Sequence, residues 1–303
     1  MLSTAREEHA ALVALLNERP NGARWPAITA DVLEAGSALA VWHSSTQATL
    51  IEEPGVEDPL AVARRELERW SAEGHRIVTV LDDEYPERLR GIHQAPPVLF
   101  ARGELRRDER AVSVVGSRAA SERGIAIATA VARSLVSLDI SVVAGLALGI
   151  DTAAHRAALE SHGRTVAVIG TGINKVYPAA NRDLHEEISR RGLLLSQFWP
   201  DAPPQKHTFL MRNATMSGFG LATVVVEAGE QSGARAQARM AVEHGRPVIL
   251  TDLVVERNEW ARALRGRPGV TVAAGIADVV NAVERIVDDR DAVSGALRWL
   301  TPA

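Results

Sequence analysis

Four glycine-bearing loops hold the residues of this chain best suited to chemistry. Residues 116–121, 145–151, 170–181 and 227–233 each follow a β-prone run, and most precede a helical pattern. Glycine lets a backbone N–H approach a ligand closely, and a helix N-terminus adds positive partial charge. Gly116, Ser117, Gly145, Gly149, Gly170, Gly172, Ser232 and Gly233 thus read as a rim for a phosphate-bearing ligand. Arg118 follows the first of these strands directly, where its planar guanidinium could grip a phosphate bidentately or stack on a base. Lys175 and Arg182 flank Tyr177-Pro178 and could extend the cationic track, and Arg212 and Asn213 could cover the mouth. Ser117 and Ser232 could donate hydroxyls to phosphate oxygens, or cap helices.

Other groups invite a catalytic reading that the sequence context weakens. Asp151 and His155 stand four apart, as an acid–base pair would on one helix face. Their helix is alanine-rich and no nucleophile lies nearby in sequence, so a structural role at the helix start is expected. Glu227 ends a strand, where a carboxylate could meet a ribose hydroxyl or a catalytic water, or hold a loop by accepting backbone N–H bonds. The run Asp82-Asp83-Glu84-Tyr85-Pro86 reads as a turn and cap. No His/Asp/Glu cluster has metal-ligand spacing, and no Gly-x4-Gly-Lys-Ser/Thr loop is present. The expectation from spacing is therefore no metal and no ATP hydrolysis of the Walker type; no cofactor is expected, and Glu227 stays open as a carboxylate candidate. Aromatics for stacking are few in these loops: Tyr177, Phe198, Trp199 and Phe209.

The elements needed to position these residues follow from the apolar pattern. Residues 112–115, 140–143, 165–169, 193–196, 222–226, 247–250 and 270–272 read as strands. Helices are expected at 122–138 after a Ser121 cap, from an Asp151 cap through His155, at 181–191, from a Thr208 cap, at 232–243 and at 276–287. Strand, glycine turn and helix in alternation define a doubly wound, mainly parallel α/β sheet of extended Rossmann-like type, with ligands outside the carboxyl ends of the strands. Upstream, residues 77–81 and 98–101 read as strands, and 60–74 as a charged amphipathic helix. Residues 1–70 read as a small helical N-terminal domain containing a polar linker at 44–58, residues 75–288 as the α/β domain, and 289–303 as a tail.

Composition sets the bounds. The chain has 303 residues, 46% hydrophobic and 24% charged, as in an ordinary soluble globular protein. No apolar run approaches the ~20 residues of a membrane span, and the N-terminal stretch lacks a signal-peptide profile. With no cysteine, disulfides and thiolate zinc sites are excluded, which fits a cytoplasmic protein. The net charge of −4 gives no global nucleic-acid signature, so such contact would rest on a local patch. The cations are almost all arginine, and the only lysines are Lys175 and Lys206.

Taken together, VSVVGSRAAS, VVAGLALGIDTAAHRAAL, GRTVAVIGTGINKVYPAANRDL, FLMRNATMSG and VVVEAGEQSGARAQARMAVEHGRPV resemble the DNA-processing protein A family, also called Smf, over roughly residues 75–250. The resemblance implies a Rossmann-like domain that binds single-stranded DNA in natural transformation. It implies a partnership with a RecA-type recombinase in recombination, a homodimer, and no catalytic step. It places Arg118 and Arg182 at DNA-contacting positions and the loop glycines and serines around the pocket. Many members carry a C-terminal winged helix, for which no room is expected after residue 290. The chain departs from the family pattern at Ala214, where an arginine is usual, and at Gln197, Ala234 and Thr251. The alternative is a nucleotide-binding sensor or nucleotide hydrolase of a related Rossmann-like fold, with Glu227 as its one good carboxylate. A third reading, a protein-interaction scaffold, requires an exposed apolar face.

Overall fold

The computed structural model describes the backbone of residues 2–46 and 57–300 and the side chains of residues 4–46 and 57–293. The chain opens with α1 (Leu2–Glu18), α2 (Trp25–Ala35), α3 (Ala38–Thr46) and α4 (Pro59–Ala72). Residues 10–16 of α1 are all buried. A helix apolar on every side over two turns must sit at the centre of its neighbours. Glu8 fixes the start of α3 by accepting from the N–H groups of Ala38 (2.6 Å) and Leu39 (3.1 Å). Residues 44–46, read as linker, instead finish α3, and 47–56 of that linker lie outside the described residues.

Next come β1 (Arg76–Thr79), the single turn α5 (Glu87–Arg90) and β2 (Val98–Gly103). The main α/β unit follows as β3 (Ala111–Gly116), α6 (Glu122–Ser137), β4 (Ser141–Ala144), α7 (Ile150–Glu160), β5 (Thr165–Val168), α8 (Arg182–Arg191) and β6 (Leu193–Ser196). It continues through α9 (Lys206–Phe219), β7 (Ala222–Glu227), α10 (Gly233–Glu243), β8 (Val248–Thr251), α11 (Asp252–Arg257), α12 (Glu259–Leu264), β9 (Val270–Ala273) and α13 (Ile276–Leu300). Among the described residues these strands form one nine-stranded sheet, ordered β1-β2-β6-β5-β4-β3-β7-β8-β9. From β6 to β9 every pairing is parallel. β2 runs antiparallel to both β1 and β6.

The inner strands are buried on both faces, which is why they read as unbroken apolar runs instead of alternating ones. Val112, Val114, Val224 and Val226 pack into one layer with Ala128, Val131 and Leu135 of α6, Ala154 of α7 and Val279 and Val283 of α13. Val115, Val143 and Val225 belong to the other cluster, which extends to Leu12, Trp42 and Trp70 of the N-terminal helices. The chain steps outward from β3 through β4 and β5 to β6, then returns to lay β7 on the other side of β3. That reversal is the topological switch point at which ligands of open α/β sheets bind.

Three local expectations are corrected. Asp151 is not the cap of α7: Gly149 is, and Asp151 sits in the first turn. Thr208 is not the cap of α9 either; Gln205 is, and Thr208 completes a capping box from the third helical position. The expected tail does not begin at residue 289, because α13 runs on to Leu300. Asp291 pairs with Arg110 at 2.6 Å and Arg290 pairs with Asp108, so two contacts to the loop before β3 hold that extension. No described helix is long and apolar enough to cross a membrane.

Candidate functional site

The four glycine loops do gather at the carboxyl ends of the adjacent strands β5, β4, β3 and β7. A hollow between the first three of these loops and α9 has a volume of about 70 Å³ and is lined by Arg118, Gly145, Leu148, Gly170, Tyr177, Phe209 and Arg212, among others; the loop at 227–233 does not line it. Arg118 is exposed, with its guanidinium 5.4 Å from the centre of the Phe209 ring. Phe209 in turn tilts against Tyr177 at 5.5 Å. Among the described residues no carboxylate forms an ion pair with Arg118.

Arg212 lies deeper. It is only 6% exposed and donates from Nη1 to the carbonyl of Val168 at the end of β5 (2.9 Å). Its place fixes the identity of Gly145, since any Cβ there would fall inside the guanidinium. Gly149 is required for two reasons. Its φ is +76°, and a side chain would collide with the Ser117 carbonyl. Burial lowers the Arg212 pKa, and the neighbouring charge of Arg118 lowers it further, while Asp151 counters both. Asp151 is pushed the other way: burial raises its pKa, and Arg212 holds it back. The two are buried opposite charges that influence each other beneath the hollow without a direct ion pair among the described residues, and Arg118 adds a further positive charge.

The expected backbone cradle is partly used up by the protein itself. The Gly145 and Ala147 N–H groups, read as phosphate donors, donate to the Asp151 carboxylate at 3.0 and 3.3 Å. At the start of α6 the Ser121 hydroxyl accepts from Gly124 N–H (3.1 Å), as a cap should. The Ser121 N–H and hydroxyl both donate to Glu227 Oε2, at 3.0 and 2.9 Å. Two internal carboxylates therefore occupy donors of the α6 cap residue and of the loop before α7, leaving the arginines as the main cations open at this edge.

The remaining expected site residues divide clearly. Arg182 is exposed and makes no ion pair among the described residues. Lys175 is paired with Asp201 at 3.2 Å. Asn213 does not cover the mouth, because it is buried and donates to the carbonyl of Gly233 (3.2 Å), tying α9 to the start of α10. Arg212 forms the floor of the hollow, not its lid. Ser232 caps α10, and Ser117 accepts from Ala119 N–H (3.2 Å). Gly116 packs on Ile150, Gly170 on Phe209 and Gly172 on the backbone of Trp199 and Pro200, whereas Gly233 faces open space.

Asn181 is the residue that sequence reasoning missed. The sequence pattern marks it only as a helix start. Its amide donates to the carbonyls of Leu146 (3.0 Å) and Ala147 (3.4 Å) and to Thr152 Oγ1 (2.9 Å). Leu146 holds a left-handed φ of +58°, a conformation that costs a non-glycine residue roughly 1–2 kcal/mol. Asn181 pins that strained loop from a position 35 residues away. Only the position of this Asn after Tyr-Pro gave any local signal. His155 is fully buried, bonded to Thr165 Oγ1 at 2.6 Å, and burial pushes its pKa down to about 3. It packs α7 on the sheet and stays neutral at pH 7. Among the described residues no cluster of three His, Asp or Glu could hold a metal ion.

The fold and site define a Rossmann-like protein with an arginine-bearing hollow over the carboxyl ends of β3, β4 and β5, beside its switch point. The model of the DNA recombination-mediator protein A family matches residues 76–290, and the chain belongs to that family. It is 37% identical over 272 residues to a DprA candidate from Mycobacterium tuberculosis (strain H37Rv), covering 84% of this chain and 70% of that protein. It is 42% identical over 172 residues to the DNA processing protein DprA of Streptococcus pneumoniae (strain R6), covering 56% of this chain and 61% of that one. The crystal structure of Streptococcus pneumoniae DprA superposes with a TM-score of 0.64 at 34% identity, covering 75% of this chain and 83% of that chain. DNA processing protein A of Helicobacter pylori, described for its single-stranded DNA binding mode, superposes at 0.62 with 22% identity, covering 69% and 96%.

Proposed function

We propose that this protein binds single-stranded DNA at the carboxyl edge of its sheet, as a recombination mediator of natural transformation that hands strands to a RecA-type recombinase. In this reading it works in the cytoplasm as a homodimer and performs no catalytic step. One observation carries it: an exposed arginine without a carboxylate partner rests on an aromatic ring at the mouth of a small hollow. Cation and ring together suit a strand whose phosphates are charged and whose bases are flat. Leu148 and Tyr177, 44% and 41% exposed beside them, add apolar surface for bases. The family membership and the single-strand binding described for the Helicobacter pylori protein support the same reading.

The size of the hollow weighs against the nucleotide reading. Sites that enclose a small molecule usually offer about 300–1,000 Å³, whereas this one offers about 70 Å³. Glu227, the carboxylate a hydrolase would need, is engaged at the start of α6.

Binding of fluorescent poly-dT and of the matching duplex, at low and moderate salt, tests the proposal. Wild type is expected to prefer the single strand and to weaken with salt, and Arg118→Ala to lose at least tenfold in affinity. No single-strand binding at low salt would overturn the reading. A nucleotide that raises the melting temperature instead would favour the alternative.

A further inference from the structure

We infer that the bound strand leaves the hollow across α7 and α8, with Arg156 as a further phosphate contact. This rests on the single-strand reading above. The cations around the site are not evenly available. On one side Arg118 sits on Phe209, Phe209 leans on Tyr177, and the turn after Tyr177-Pro178 leads to Arg182. Asn181, just before Arg182, touches Thr152 Oγ1 of α7 at 2.9 Å. Arg156 lies four residues further along α7, about 6 Å of rise and slightly more than one helical turn, and is exposed. Among the described residues, Arg118, Arg156 and Arg182 make no ion pair and no side-chain hydrogen bond.

On the opposite side, around α6, α10 and α11, the arginines are engaged. Arg123 pairs with Asp252 at 2.9 Å, Arg239 with Glu243 at 3.4 Å and Arg257 with Glu227 at 3.8 Å. Arg235 donates to the Glu230 carbonyl at 3.0 Å. A paired cation must give up its partner before it can neutralise a phosphate. An unpaired one only exchanges water, and its binding to a phosphate releases counterions condensed on the strand. The acids on the proposed exit side narrow the path. Glu160 at the end of α7 pairs with Arg133 of α6 at 3.4 Å. Asp183 and Glu186 are exposed on α8, and Glu186 stands one turn past Arg182. A strand following α8 would meet that carboxylate, whereas one crossing from Arg182 to α7 meets Arg156.

The test titrates oligo-dT of about 6 and about 20 nucleotides, bracketing common single-strand site sizes, over a range of salt concentrations. The proteins are wild type, Arg118→Ala, Arg156→Ala, Arg156→Lys and Arg235→Ala. Each neutralised phosphate contributes about 0.7 to the slope of log affinity against log salt for single strands. Arg156→Ala is expected to lower that slope by about 0.7 on the longer strand and to weaken its binding roughly three- to tenfold. It should leave the short strand nearly unchanged. Arg156→Lys should restore the slope, and Arg235→Ala should match wild type on both lengths. Thermal melts of the variants that coincide with wild type show that folding is intact. If Arg118→Ala loses binding while Arg156→Ala titrates as wild type, the path is wrong and the single-strand reading stands. If wild type binds neither strand, that reading falls and the path with it.

Discussion

Beneath the hollow, three ionisable side chains have been moved away from their solution behaviour by burial. His155 is held neutral with a pKa of about 3. Unfolded, it would titrate near 6.5. The unfolded state therefore binds the extra proton first as pH falls. The stability this group supplies is complete above about pH 6.5 and drains away toward pH 3, at up to about 1.4 kcal/mol per pH unit. His244, lowered to about 4 by burial and by neighbouring His93, acts in the same direction but less strongly, being partly exposed. Urea midpoints measured from pH 7 to pH 4.5 should fall steadily in wild type, and His155→Asn should flatten the slope by about one proton. An unchanged slope in that variant would mean that His155 is charged in the fold. At the same scale, Gly145→Ala forces a methyl into the space of the Arg212 guanidinium. It is expected to cost about 1–3 kcal/mol by overpacking and to lower the thermal midpoint while displacing the floor of the site.

Elements were legible where a local rule coincided with the tertiary need. Residues 112–115 and 222–226 are β-branched runs that the two-sided core demands, and both became strands. Ser121 and Ser232 cap α6 and α10 because a hydroxyl at that position satisfies an N–H whatever the rest of the chain does. The position of Arg118 at the carboxyl edge of the sheet was legible because it follows the end of a strand. What stayed hidden depends on which partner each polar group takes once the loops are folded. The Gly145 loop looks like a phosphate cradle until Asp151 is seen to occupy its N–H groups. Asn213 looks like a ligand donor until Gly233 is seen 20 residues away. Asn181 looks like a cap although its work lies on the β4–α7 loop. Removing its amide leaves the carbonyl of Leu146 without that donor in a strained loop, and Asn181→Ala is expected to cost about 1–3 kcal/mol. Hydrogen exchange should then rise at residues 145–149 before it rises in the strands. Uniform protection would show that the loop holds its shape without this tie.

At the scale of the whole molecule, the boundary expected near residue 70 is crossed by aromatic packing. Trp70 of α4 stacks on Trp199 at 5.3 Å and 21°, Trp25 of α2 meets Trp199 edge-on at 5.3 Å, and Trp70 meets Phe100 of β2 at 5.2 Å. The buried residues of α1 belong to the same cluster as those of β2, β5 and β6. The segment carrying Trp199 also braces the ligand edge. Gly172 N–H donates to the Ala202 carbonyl and Asn174 N–H to that of Pro200, both at 2.9 Å. The Thr208 hydroxyl reaches the Gly170 carbonyl at 2.6 Å. One strap thus touches the N-terminal helices on one side and the Gly170–Gly172 turn on the other. Packing that crosses the boundary in this way couples the unfolding of the two parts. Thermal denaturation followed by far-ultraviolet circular dichroism and by tryptophan fluorescence is therefore expected to give coincident transitions. Trp199→Ala removes a ring that joins both parts, and should shift the common transition down by up to about 3 kcal/mol without splitting it. Two separate transitions in wild type would show that the N-terminal helices fold alone. Separation only in the variant would show that Trp199 is what couples them.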